Sequence, residues 1–258
     1  MSVEFDQIAL TPAYRKVADA ITERILSRAL REGERLPPET ELARQLGVNR
    51  STVREALREL ECSGLLERRP GSKRMTVSRP RHLAVAKDVS RALALHDVTF
   101  LEVWTALTEF EPPIAESAAR AHSDADLERL AAVHARFESE NALTDKAVHY
   151  AAEFFRALGT ATHNQVFALV HEPLIQLLEP SLRDMIDQVP QARLRIATAQ
   201  RRILEALERR DADAARQWMA RHIRDFRKGY ELAGIDLSHR IGCQNSAPNR
   251  PHVVAAGA

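Results

Sequence analysis

The chain has 258 residues, 45% of them hydrophobic and 28% charged, with nine Gly and two Cys; this suits one large or two modest helix-rich domains and excludes a chain disordered across its main body. Its longest apolar stretches, such as Ala84–Ala86 and Val166–Val170, fall far short of the roughly 20 residues a membrane-spanning helix needs, and the N-terminus lacks a basic-then-apolar leader, so the expected location is the cytoplasm. The formal net charge of +1 hides a split near residue 82, where Arg79-Pro80-Arg81 interrupts the pattern: residues 1–82 hold 16 Lys and Arg against 12 Asp and Glu, a net +4, and residues 83–258 hold 21 against 24, a net −3. A polyanion would prefer the first part.

In chain order, Val17, Ile21, Ile25 and Leu26 recur at helical spacing within Tyr14–Leu30, and Gly33 is a natural stop. Leu36-Pro37-Pro38 suits an extended entry into a short helix over Glu39–Leu46, with Leu42, Ala43 and Leu46 turned inward. Gly47 permits the positive φ of a tight turn, after which a helix from Asn49 or Arg50 to about Ser63 buries Val53, Ala56, Leu57 and Leu60. Leu65–Arg68 and Met75–Val77, separated by Arg69-Pro70-Gly71-Ser72-Lys73-Arg74, read as a hairpin with a basic tip. Helix, turn, helix and hairpin in this order make a winged helix-turn-helix.

Asn49, Arg50, Ser51, Thr52 and Arg54 lie at the N-terminal end and outer face of the third helix. Such an end enters a major groove, where Arg forks to guanine, hydroxyls bond phosphates or bases, and backbone N–H groups face phosphate. Lys73 and Arg74 would add phosphate or minor-groove contacts. The plainer reading makes Asn49 and Ser51 helix caps and Arg50, Arg54 and Arg58 a solvated face paired with Glu55 and Glu59. The whole constellation, with turn and wing in order, favours DNA.

These segments resemble the N-terminal domain of GntR-family regulators: Tyr14-Arg15-Lys16-Val17-Ala18, Gly33-Glu34-Arg35-Leu36-Pro37, Glu41-Leu42-Ala43, Leu46-Gly47-Val48, Arg50–Leu57 and Gly64-Leu65-Leu66. The resemblance implies that Arg50, Thr52 and Arg54 approach the operator and that Gly71 at the wing tip reaches the minor groove. Thr40 stands where relatives often carry a DNA-contacting arginine, and Ser72-Lys73-Arg74-Met75 replaces the Gly-rich tip of many wings, so the operator is not expected to copy a relative's.

From there on the pattern is of amphipathic helices, expected at 83–96, 98–120, 124–140, 144–159, 163–188, 190–209 and 211–232, with Ser123-Asp124, Thr144-Asp145 and Asp211 as helix starts and connections short enough for an antiparallel bundle. No strand pattern interrupts them. The domain boundaries read as 10–78 for the winged domain, 79–84 for a linker, 85–233 for the helical domain and 234–258 for a disordered tail. Phe110–Ala119, Phe154–Leu158 through Asn164, and Arg202–Leu207 through Ile223 resemble the FCD effector domain of FadR-type GntR regulators. That resemblance implies a bundle of six or seven helices around a small-molecule cavity, which also forms a homodimer.

Members of this class mostly hold a divalent metal through an aspartate, a histidine four residues later and two further histidines. By the resemblance those positions are Ala151, Phe155, Gln200 and His222 here, so a metal-free pocket is expected, with no cofactor. Asp145 and His149 have the same spacing, but using them shifts the helix by six residues, about 600° of turn and about 9 Å of rise, so they read as surface, as do His122, His134, His163 and His171. Leu107 stands where relatives often have an arginine, and Glu111 is retained. With Leu107, Ala151, Phe155 and Gln200 at pocket positions the cavity favours an organic acid or another ligand with an apolar body over a small dicarboxylate; the alternative is that Phe155 fills it and nothing binds. Cys62 reads as buried filler and Cys243 as a tail thiol. No G-x-S-x-G, P-loop, G-x-G-x-x-G or H-E-x-x-H motif occurs, which speaks against an enzyme. The expected function is a ligand-responsive repressor; an architectural DNA-binding module is the competing class.

Overall fold

The computed structural model describes residues 12–72, 74–79 and 82–241, and the chain divides into two compact units, Met1–Arg81 and His82–Ala258. The first contains α1 (Ala13–Leu26), α2 (Glu39–Leu46), α3 (Arg50–Cys62), β1 (Leu66–Arg68) and β2 (Met75–Val77). The strands pair antiparallel in the register Leu66 to Val77, Glu67 to Thr76 and Arg68 to Met75. β2 has a second partner that periodicity did not reveal. Gly33 N–H donates to the Val77 carbonyl (2.9 Å), Val77 N–H to that of Glu34 (2.8 Å) and Leu36 N–H to that of Met75 (2.9 Å), so residues 33–36 cover the other edge of the wing. Burial of Thr76 and Val77 on that side explains why so short a hairpin holds.

Val17, Ile21, Leu36, Leu42, Val53, Leu57, Leu60, Leu66 and Met75 meet in one core, each burial contributing about 1.5–3 kcal/mol. α1 is shorter than its apolar spacing suggests. It ends at Leu26, Arg28 takes φ 60°, and Leu30 folds back to donate to the Arg24 carbonyl; Leu26, expected on the inner face, is 75% exposed. Gly47 ends α2 in the left-handed region at φ 65°, as the turn requires. Cys62 is exposed rather than buried, because the last turn of α3 projects beyond Leu60.

The second unit consists of α4 (His82–Leu95), α5 (Phe100–Ala121), α6 (Asp124–Glu140), α7 (Thr144–Ala161), α8 (Gln165–Gln188), α9 (Gln191–Glu208) and α10 (Ala212–Leu232). Neighbours in space run α4, α8, α7, α6, α9, α10, α5, and α5 also touches α7 and α8, so the faces of seven helices close around one core. Thr99 with Glu102 and Ser123 with Asp126 form capping boxes, and Asp211 caps α10 through Ala214 N–H. Thr144 does not cap. It is the first helical residue of α7, and its hydroxyl donates to Asp187 and accepts from Arg193, tying α7 to the α8–α9 corner.

Residues 235–241, assigned to the tail by composition, are ordered against the bundle. Phe100 and Leu101 N–H donate to the His239 and Leu237 carbonyls (3.1 and 3.0 Å), Ile241 N–H donates to Val98 (2.8 Å), and Ile235, Leu237 and Ile241 cover apolar core. The unsatisfied first N–H groups of α5 supply the donors. Lys73, Pro80, Arg81, Cys243 and the rest of the expected tail lie outside the described residues.

Candidate nucleic-acid interface and buried pocket

α3 presents the expected polar end. Asn49 occupies its N-cap position with extended backbone but makes no side-chain capping bond, so its amide is available, and Arg50, Ser51 and Arg54 are exposed beside a half-buried Thr52. Thr40, second residue of α2, is exposed near this end of the sequence motif. Gly71 turns the wing tip at φ 76°; the Ser72 hydroxyl accepts from Arg74 N–H (3.1 Å) and fixes the tip behind it, leaving Arg74 exposed. The plainer reading of the sequence pairs Arg54 with Glu55 and Glu59. The structure pairs it across helices: Arg54 Nη2 and Nε donate to Glu39 Oε2 at 3.0 and 3.3 Å, and Arg54 holds the Glu39 carboxyl below its ordinary range. Glu39, Arg54, Arg58, Glu61 and Arg68 line a groove of about 350 Å³ beside α3.

In the helical unit, Leu107, Ala151 and Phe155 do share a cavity, with Ile175, Phe226 and Tyr230 among its other walls, but it measures only about 30 Å³. His222 faces a second cavity of about 10 Å³, alongside Arg195 and Asp225, and Phe226 belongs to both walls. The Phe155 ring stacks on His222 with centroids 5.7 Å apart and planes within 15°, and Phe226 lies 4.5 Å from His222. Burial lowers His222 to about 4, so the ring is neutral near pH 7, and its Nε2 has no hydrogen-bond partner among the described residues.

Glu111 and Gln200 line neither cavity. Glu111 is fully buried, with Oε1 accepting from His171 Nδ1 at 3.3 Å, and Gln200 Oε1 accepts from His134 Nδ1 at 3.2 Å. The His171 ring sits so close to α7 that a Cβ on Gly159 would lie 2.3 Å from its Nε2. Thus His134 and His171, read as surface from spacing, are interior groups, and His122 is buried too, bonded to the Ala118 carbonyl at 2.9 Å. Each turns its Nδ1 to a group on a neighbouring turn or helix, while His134 Nε2 has no hydrogen-bond partner among the described residues. His163 is exposed beside Asp126, and Asp145 and His149 lie on the surface, with Asp145 bonded to Arg183.

The positions at which the resemblance places metal ligands do not fit a divalent ion. One contributes a neutral imidazole stacked against an aromatic ring, one an amide whose oxygen is held by His134, and two are hydrocarbon. Among the described residues, no group of three or more His, Cys, Asp or Glu is placed to hold a metal. What spacing missed is a polar layer one turn away. Arg156 on α7 reaches Glu172 (2.9 Å), Glu179 (2.7 Å) and Glu153 (3.1 Å); burial works against its charge, but the Glu172 and Glu179 carboxylates outweigh that and raise its pKa. Glu179 is also a wall of the larger cavity.

Residues 13–73 match the family described as bacterial regulatory proteins, gntR family, and residues 102–225 match the FCD domain. The chain is 29% identical over 237 residues to the Uxu operon regulator of Haemophilus influenzae, covering 89% of this chain and 86% of that one. It is 30% identical over 217 residues to the HTH-type transcriptional repressor NanR of Cronobacter sakazakii, covering 80% and 81%. The solved structure of Streptococcus agalactiae GntR superposes with a TM-score of 0.60 at 26% identity, covering 83% of this chain and 99% of that one. These relatives are regulators of transcription, not enzymes, and no helix among the described residues is long and apolar enough to cross a membrane. The chain is a DNA-binding transcription regulator of the GntR family, of the FadR type, with a winged helix-turn-helix followed by an FCD domain.

Proposed function

We propose that this regulator is a cytoplasmic homodimeric repressor that sits on an inverted-repeat operator and is released when a small molecule occupies the helical unit. The observation that carries the DNA half is the uncapped, cationic N-terminal turn of α3, where Asn49, Arg50, Ser51, Thr52 and Arg54 enter the major groove while Thr40, Gly71, Lys73 and Arg74 hold the backbone and the minor groove. NanR, named a repressor, supports the sign of regulation. α4 and α8 pack on each other and carry exposed Val85, Val89, Val166, Leu169 and Val170, an apolar surface suited to a second copy.

The ligand is an organic acid or another molecule with an apolar body, held without metal. Leu107, Ala151 and Phe155 contact the body, and His222 offers its free nitrogen to the head; Glu111 and Gln200 brace the surrounding helices. Both cavities are far below the roughly 300 Å³ of a ligand pocket, so Phe155 and Phe226 swing aside on binding, and this movement couples occupancy to the DNA-binding heads. The coupling expected of such a device is about 1–3 kcal/mol.

The test is to incubate the purified chain with sheared DNA from its own genome, with and without an extract of cell metabolites, and to sequence what is retained. Enrichment of short palindromes that fades with the extract is the expected result. Equal retention of all fragments would replace the repressor with an architectural DNA-binding role.

A further inference from the structure

We propose that Glu39 is a specificity-determining residue, whose carboxylate keeps Arg54 out of non-operator complexes by occupying the place that a DNA phosphate or base would take. The inference rests on the docking of α3 proposed above. Arg54 lies one turn into α3 and Glu39 opens α2, fifteen residues earlier, so the contact exists only through the tertiary fold. Its two bonds of 3.0 and 3.3 Å converge on one oxygen, and both side chains stay open to solvent, Arg54 about half and Glu39 about a quarter. DNA can therefore reach the pair and compete for it.

The surroundings mark the spot as one for an anion. Arg50 and Arg68 also favour the Glu39 carboxylate electrostatically, and the adjoining groove sets Arg54, Arg58 and Arg68 against only two carboxylates, Glu39 and Glu61. A loosely held duplex, bound through mobile phosphate contacts, offers Arg54 nothing better aligned than Glu39, so the arginine stays where it is. An operator that brings an acceptor into the reach of Arg54 exchanges the carboxylate for it. The two complexes consequently differ by one engaged cation, and removing the carboxylate erases that difference. Glu41 is the natural control: it carries the same charge on the same helix, but its bonds go to Arg44 and Gln45 within α2.

The experiment uses the intact chain as wild type, E39Q, E41Q and R54A, with short duplexes of randomised sequence as the probe. Bulk retention is followed against salt, and the retained fraction is sequenced. For E39Q, bulk affinity is expected to rise about three- to tenfold with a log–log salt slope steeper by about 0.9, the release of one further counterion, while the motif enriched by wild type loses sequence contrast. E41Q should match wild type in slope and contrast.

Several outcomes overturn the proposal. An E39Q that weakens all binding makes Glu39 a buttress of the docked arginine; equal gains in E39Q and E41Q reduce the effect to net charge; no change removes Glu39 from recognition. If R54A itself binds like wild type, the docking of α3 fails first. If R54A weakens binding while E39Q leaves the slope untouched, the competition alone is refuted.

Discussion

The two candidate sites are built on opposite terms. At the α3 end the groups that would meet DNA are exposed and contribute little to the core beneath them, which is made by Val53, Ala56, Leu57 and Leu60 on the other face. In the helical unit the groups at the ligand positions are themselves core: Leu107, Ala151, Phe155, Gln200 and His222 are all buried, and the aromatic ones fill the space a ligand would need. Recognition and folding are thus separable in the first unit and coupled in the second. Substitutions should therefore change binding without stability in one, and both together in the other.

The largest effect expected is from Phe155→Ala, which removes a ring packed against His222 and Phe226 and should cost about 3–5 kcal/mol of the helical unit's stability in urea unfolding. Benzene added to the variant should recover part of that loss by filling the cavity; recovery of the same size in wild type would mean the pocket is already open. Next comes Gly159→Ala. Its Cβ meets the His171 ring, and with Glu111 holding that ring from the other side, a loss of about 1–3 kcal/mol is expected, whereas a neutral result would show that the α7–α8 contact yields freely.

A smaller effect follows from His222. Its pKa is about 4 in the fold against an ordinary value of 6.5, so between these values the unfolded chain binds the extra proton and stability falls as pH falls. The contribution is complete above pH 6.5, and about 1.4 kcal/mol should be lost between pH 7.5 and 5.5. Arg195 and Asp225 share the cavity wall, so His222→Gln, compared with wild type at both pH values, isolates the imidazole's part. An unchanged pH profile in the variant would assign the loss elsewhere. The smallest change is expected from Arg50→Ala, which should weaken binding to retained operator fragments severalfold while changing the unfolding free energy by no more than about 0.5 kcal/mol. A large destabilisation there would break the separation of recognition from folding in the first unit.

Much of the architecture was legible because it depends on local period and local chemistry. The spacing of Val53, Ala56, Leu57 and Leu60, the glycine at position 47, and the starts at Ser123 and Asp211 each act within a turn or two of chain, and the helices they specify fall within a few residues of expectation. Leu26 and residues 235–241 went the other way. Apolar period could not say that α1 stops at Leu26, and polar composition could not say that the Phe100 and Leu101 N–H groups, which the capping box of α5 leaves open, would hold the returning chain.

The sequence by itself determined the order of elements, the two-part organisation and which residue types stand at the α3 end, since these follow from patterns that neighbours along the chain can read. Only the tertiary structure decided which charge holds which: Arg54 with Glu39 instead of Glu55, His171 with Glu111, and Arg156 with Glu172 and Glu179. Partners at separations of 15 to 60 residues leave no periodic trace, because they are chosen by how whole helices pack.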